Sequence, residues 1–265
     1  LESIANDLRN AREYGSIIDV APVNFDALFV RFEEIKGEVH LYREAALKKA
    51  LPPVKQAQAL AQKYDVVCTN PPYMGSSGMG AKLSEYVKKN YPNTKSDMST
   101  VFIEKTLKMC KETGYMSMIN IPVWMFLSSY EKLRADIISN DTIVNMAHLG
   151  RGIFGSDFGT TTFVIKKDRV DGYKGSYRRL FEKQGAVDSV ETKEKWFLEG
   201  MGNYVADQSN FLKIPGSPVA YWVSEKAIAA FEKGISISSI SDFTGSQHKT
   251  ADNEKYLRFH WEQNK

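Results

Sequence analysis

The chain has 265 residues, of which 43% are hydrophobic, 12% aromatic and 25% charged, the make-up of an ordinary globular protein able to bury a sizeable core. This excludes a disordered chain, and no apolar run reaches the ~18 residues of a membrane span, nor does the start carry a signal peptide; a cytoplasmic protein without a membrane partner is expected. A net charge of +3 permits a polyanionic partner without demanding one.

Residues 1–13 place Leu1, Ile4, Ala5, Leu8 and Ala11 near one face, predicting an amphipathic helix that Gly15 ends. An apolar segment, SIIDV, closes at Pro22, and a mixed helical stretch follows over about 26–50. LPPVKQAQALAQKY predicts a helix opened by its proline pair, where proline is tolerated. YDVVCTN is short, apolar and β-branched without strict alternation, which predicts a strand covered on both faces. Cys68 in this strand and the distant Cys110 have no CxxC or Cys/His spacing, so both are expected to be buried thiols and no metal site is expected.

After the glycine-rich MGSSGMG come a helix over AKLSEYVKKNY and a longer one over SDMSTVFIEKTLKMCKETG, with Ser96 or Asp97 as cap and Gly114 as stop. YMSMINIP is the next strand, SSYEKLRADIISN a helix capped by Ser128 or Ser129, and TIVNMAHLG and TTTFVIKK two further strands. The link between the last two is too short for a crossover helix, so they are expected to run antiparallel in an otherwise mostly parallel α/β sheet. Past Lys167 the chain turns polar and turn-rich, so residues 1–170 are expected to form the main domain and 171–265 a smaller mixed appendage.

Asn70-Pro71-Pro72-Tyr73 stands where the first strand leaves the core, and open α/β sheets bind ligands outside the carboxyl ends of their strands. The prolines fix their own φ and bias the preceding residue toward extended geometry. They therefore hold two acceptors in a row, the Asn70 amide oxygen and the Pro71 carbonyl. Two fixed acceptors suit a planar amino group with two N–H bonds. Tyr73 adds a flat apolar face on which a planar base or amide can lie. A simple Asn-Pro turn is the plainer alternative. His148, at a strand end, reads as a structural histidine, and Trp124 and Met125 as packing residues. Arg178, Arg179 and Arg258 are isolated arginines that could meet phosphates.

Asn-Pro-Pro-Tyr also resembles the catalytic motif of amino-group methyltransferases that use S-adenosylmethionine. The blocks NPPYMG, KSDM, FLSSYEKLR and YWVSE, within a likeness covering most of residues 64–265, resemble the adenine-specific DNA methyltransferases of BREX phage-defence systems and their type IIG restriction-modification relatives. The resemblance implies the C-terminal half of a Rossmann-like S-adenosylmethionine-dependent methyltransferase sheet. It implies that Asn70 and Pro71 hold the amino group of a flipped adenine, that Pro72 shapes the loop and that Tyr73 stacks on the base. Phe154 or Phe158 would press the base from its other side, and Ser16 and Ile17 would lie beside the cofactor's adenine. Double-stranded DNA is the implied partner, with other BREX or restriction-system subunits.

The family's glycine-rich cofactor loop and the acidic residue that follows it lie upstream of the motif, and neither occurs here; MGSSGMG follows the catalytic strand instead. The chain is therefore expected to be a fragment, the downstream half of a methyltransferase domain leading towards a target-recognition domain, and inactive by itself. Two alternatives stay open. A glutamine side-chain amide offers the same planar amino group, as in the methyltransferases of release factors, and a noncatalytic interaction module could retain a methyltransferase-like surface.

Overall fold

The computed structural model describes residues 1–36, 41–153, 159–235 and 237–240. Helices α1 (Glu2–Asp7), α2 (Ala11–Tyr14), α3 (Phe25–Lys36) and α4 (Leu41–Ala61) gather around a cluster of Ile4, Ile18, Val20, Phe32, Val54 and Ala57. Pro52 and Pro53 lie inside α4 rather than opening a helix. An interior proline removes a main-chain donor and costs about 3 kcal/mol. Here Leu47, Ala50, Leu51, Val54 and Ala57 flank the pair and pack on one cluster, so tertiary burial carries the helix across it.

Strand β1 (Tyr64–Thr69) leads through the Asn-Pro-Pro-Tyr turn to α5 (Ala81–Asn90) and α6 (Met98–Met109). Asp97 caps α6 as expected, its carboxylate accepting the Ser99 N–H at 2.8 Å. The helix does not run on to Gly114: β2 (Cys110–Asn120) begins directly after it. Thr113 has a φ of 66°, and a Cβ at Gly114 would come within 3.0–3.1 Å of the Lys111, Asp65 and Tyr64 carbonyl oxygens. Gly114 thus serves a tight irregularity inside a strand pair, not a helix end.

Helix α7 (Glu131–Asn140) is preceded by a 3-10 turn over Ser128–Tyr130, and neither serine side chain caps it. Then come β3 (Thr142–Gly150), β4 (Thr160–Lys166), β5 (Lys174–Arg179), α8 (Val190–Leu198), β6 (Asn203–Asp207) and α9 (Glu225–Lys233). No helix among the described residues is long and apolar enough to cross a membrane.

The strands form one sheet in the order β1-β2-β4-β3-β5-β6. β3 and β4 are antiparallel, as their short link requires. The sheet is nevertheless mixed rather than mostly parallel: β1/β2 and β3/β5 pair in parallel, while β2/β4, β3/β4 and β5/β6 are antiparallel. β4 causes much of this, because it turns back from β3 and inserts between β3 and β2. Residues beyond 170 supply β5 and β6 to the same sheet.

The main core joins sheet residues Met116, Met118, Met146, Phe163, Ile165 and Tyr177 to Ile103 and Leu107 of α6 and Leu133, Ile137 and Ile138 of α7. β1, at the sheet's edge, is not covered on both faces. Val67 packs on the core, but Val66 is 62% exposed and Cys68 is exposed, in contrast to the buried Cys110. Alternate strand residues face opposite sides, and among the described residues nothing encloses the Val66 and Cys68 side.

β1, β2, β3 and β5 all run the same way. Asn120 and His148 both pair with Thr161 at the start of β4, and His148 pairs with Arg179. One edge of the sheet therefore gathers the Asn70–Tyr73 turn and the carboxyl ends of these strands.

Candidate active site

At the end of β1, Pro71 is buried while Asn70, Pro72 and Tyr73 lie at the surface. The Tyr73 ring folds back over the turn. Its hydroxyl lies 3.0 Å from the Asn70 Oδ1 and 3.3 Å from the Ile119 carbonyl of β2, both acceptors for its one proton. Partial burial pushes the Tyr73 phenol up, so it stays a donor at neutral pH. The Asn70 amide oxygen is thus oriented by a partner and keeps a second lone pair for another donor.

The loop after Tyr73 is pinned to the start of α6. Met98 N–H donates to the Met74 carbonyl at 2.9 Å, Ser76 N–H to the Ser96 carbonyl at 2.9 Å, and Gly75 bridges to Asp97. The buried Asn120, at the end of β2, donates from Nδ2 to the Ser99 carbonyl at 2.9 Å and accepts the Ile121 N–H at 2.7 Å. It locks the end of β2 to the same helix start that carries the loop. Sequence reasoning missed Asn120; the available signal was a polar residue ending an apolar strand ahead of Ile-Pro.

Ser16 is exposed in the turn Gly15–Ile17, whereas Ile17 is fully enclosed and its carbonyl accepts the Tyr91 hydroxyl at 2.7 Å. Ile17 shares one cluster with Met79, Leu83, Met98 and the Met74 side chain, which places this turn beside the loop that follows Tyr73. Lys105 of α6, also missed from sequence, fixes the next residues by donating to the Ile18 carbonyl at 2.6 Å and the Asp19 carboxylate at 2.8 Å. Phe154, Phe158 and Arg258 lie outside the described residues.

His148 is buried, its Nδ1 3.3 Å from the Tyr221 hydroxyl. Burial first, then the charges of Arg179 and Lys193, push its pKa down to about 4, so it is a neutral structural imidazole at physiological pH. Trp124 and Met125 are packing residues as expected, with Trp124 against Phe163 at 4.9 Å.

Gly15 and Gly37 are the only glycines before β1, and the one exposed polar side chain of the Gly15–Ile17 turn is Ser16. No cradle for the whole of S-adenosylmethionine can be assembled from the described residues.

A mixed α/β sheet thus presents a proline-stiffened asparagine and an aromatic ring at the carboxyl end of a strand. The family model for Eco57I restriction-modification methylase matches residues 13–154, more than half of the 265 residues, and the chain belongs to that family. It is 38% identical over 232 residues to the adenine-specific methyltransferase BrxX of Escherichia coli O9:H4 (strain HS), a match covering 84% of this chain and 19% of that protein. It is 42% identical over 185 residues to the adenine-specific methyltransferase PglX of Lacticaseibacillus casei (strain Zhang), covering 66% of this chain and 15% of that protein. The chain thus matches less than a fifth of either relative's length. A solved structure of a type I restriction-modification system superposes with a TM-score of 0.46 at 15% identity, over 69% of this chain and 42% of that one.

Proposed function

We propose that the chain carries the base-binding turn of a DNA adenine methyltransferase acting in phage defence or restriction-modification. S-adenosylmethionine, held in the complete enzyme, would supply the methyl group, and the acceptor would be the exocyclic amino group of an adenine turned out of the duplex. The Asn70 Oδ1 and the Pro71 carbonyl accept the two amino N–H bonds and draw electron density onto a weakly nucleophilic nitrogen. Pro72 shapes the turn, and Tyr73 stacks on the base, worth about 1–3 kcal/mol against the few kcal/mol that flipping costs. Ser16, exposed in its turn, would border the cofactor, while the enclosed Ile17 anchors that turn in the core. Double-stranded DNA is the partner, with further defence-system subunits.

The observation that carries this reading is the Asn70 amide oxygen oriented by the Tyr73 hydroxyl, which also reaches the Ile119 carbonyl of β2, at the sheet edge where α/β ligands bind. The test is made in the cells that encode the protein, by exchanging Asn70→Ala at its locus and mapping methylated adenine across the genome. Loss of about 100-fold or more in methyl transfer is expected, the scale set by removing one preorganised polar group. Unchanged adenine methylation would overturn the reading, and methyl transfer to a protein glutamine instead would redirect it.

A further inference from the structure

A cavity of about 310 Å³ lies at the same sheet edge, lined by Phe126, His148, Arg179, Phe181, Gln184 and Trp222. That is at the small end of the ~300–1,000 Å³ typical of small-ligand pockets. Phe126 and Trp222 are each 38% exposed, with ring centroids 5.7 Å apart, and Phe126 lies 6.2 Å from His148 in a near-parallel arrangement. The Arg179 guanidinium sits 4.7 Å over the Phe181 ring, and its Nε is enclosed without a hydrogen-bond partner.

Hydrogen bonds within the chain hold these walls in place. Arg134 of α7, itself buried, donates to the carbonyls of Trp124 (2.9 Å) and Leu127 (2.6 Å) on either side of Phe126. It also donates to the carbonyls of Gly216 (2.5 Å) and Ser217 (3.1 Å) in the turn leading to Trp222. Val219 N–H donates to the Met125 carbonyl at 3.0 Å, and Tyr221 packs edge-on against Trp222 at 4.9 Å.

The chemistry selects the occupant. Flat rings favour a planar ligand. Lys193 is paired with Asp188 at 3.6 Å, so Arg179, whose Nη2 makes only a long 3.4 Å bond to the Glu182 carbonyl, sets the charge at the cavity; its planar guanidinium disfavours a cation and suits a phosphate. β3 and β5 lie three and four ladder spacings of ~4.8 Å from β1, so the cavity stands roughly 14–19 Å from Asn70, a few nucleotides along a bound strand. We propose that this cavity is a second nucleotide pocket: an unstacked base of the bound DNA, a few positions from the target adenine, lies against Phe126 and Trp222 with its phosphate on Arg179. This inference rests on the reading of the chain as a DNA methyltransferase.

The test is calorimetric titration of the 265-residue chain with thymidine, thymidine 5′-monophosphate and a short single-stranded oligonucleotide. The monophosphate should bind about tenfold more tightly than thymidine, and the oligonucleotide should displace it. Trp222→Ala should weaken all three about tenfold or more, as loss of a stacking ring does. Arg179→Gln should abolish the preference for the monophosphate while thymidine still binds, a result that misfolding does not mimic. The pocket is overturned if the monophosphate fails to bind or binds equally well to Trp222→Ala, and its assignment to DNA is overturned if the oligonucleotide does not compete. Failure of the catalytic reading shows elsewhere, in genomic methylation that survives Asn70→Ala.

Discussion

Tyr73 carries two separable properties, a ring and a hydroxyl, and they do different jobs. The hydroxyl ties Asn70 Oδ1 to the end of β2, while the ring offers the face on which the base would lie. A net hydrogen bond contributes about 0.5–1.5 kcal/mol and a base-stacking ring about 1–3 kcal/mol. With each variant exchanged at its locus, Tyr73→Phe is therefore expected to lower adenine methylation by less than about tenfold and Tyr73→Ala by considerably more; equal losses in the mapped genome would contradict the division. The motif itself was legible, since its four residues are adjacent and their stereochemistry is local. The hydroxyl's second acceptor was not, because Ile119 is 46 residues away and only strand pairing brings it near. Cys68 was misjudged for a related reason: an apolar strand residue is buried only if another element covers its face, and sequence does not say which face is covered.

Among the elements, those with a local signal were found where expected. α5 and the start of α6 follow from apolar spacing and from the Asp97 cap. The prolines within α4 and the strand start at Cys110 were not legible, since packing and a tight backbone approach override the usual meaning of proline and glycine there. α7 was recognised as a helix, but its Arg134 gave no hint of its task. The guanidinium reaches the carbonyls of Trp124, Leu127, Gly216 and Ser217, joining two segments that no helix or strand connects. Removing it strands buried acceptors at about 1–3 kcal/mol each. Arg134→Ala should thus destabilise the fold by about 3 kcal/mol or more in urea unfolding. Arg134→Lys should recover little, because one ammonium cannot span the same acceptors. Wild-type stability in either variant would show that the clamp is dispensable.

At the scale of the whole molecule, β3 passes through the sheet with a buried titratable group at each end, Asp141 just before it and His148 near its exit. Their shifts have opposite consequences. His148 is pushed down to about 4, so below its ordinary value of 6.5 the unfolded chain takes up a proton that the folded chain refuses. Its contribution is therefore lost as pH falls from about 6.5 toward 4, a change of about 3 kcal/mol. Asp141 is pushed up to about 7, by burial first and then by Asp136, so between its ordinary 3.8 and 7 the folded chain holds the extra proton. Its contribution is lost as pH rises through that window. The two slopes oppose each other, and the unfolding free energy attributable to them should vary little between pH 4.5 and 6.5. Asp141→Asn keeps the neutral form throughout and leaves the His148 slope alone. Relative to the parent, this variant should gain stability progressively from pH 4.5 to 7.5, with the smallest difference at the acid end. Urea midpoints measured for both proteins across that range decide it, since other carboxylates titrate alike in each and cancel in the difference. A difference that does not grow with pH would mean that Asp141 is ionised in the folded chain, and that the two ends of β3 do not oppose each other.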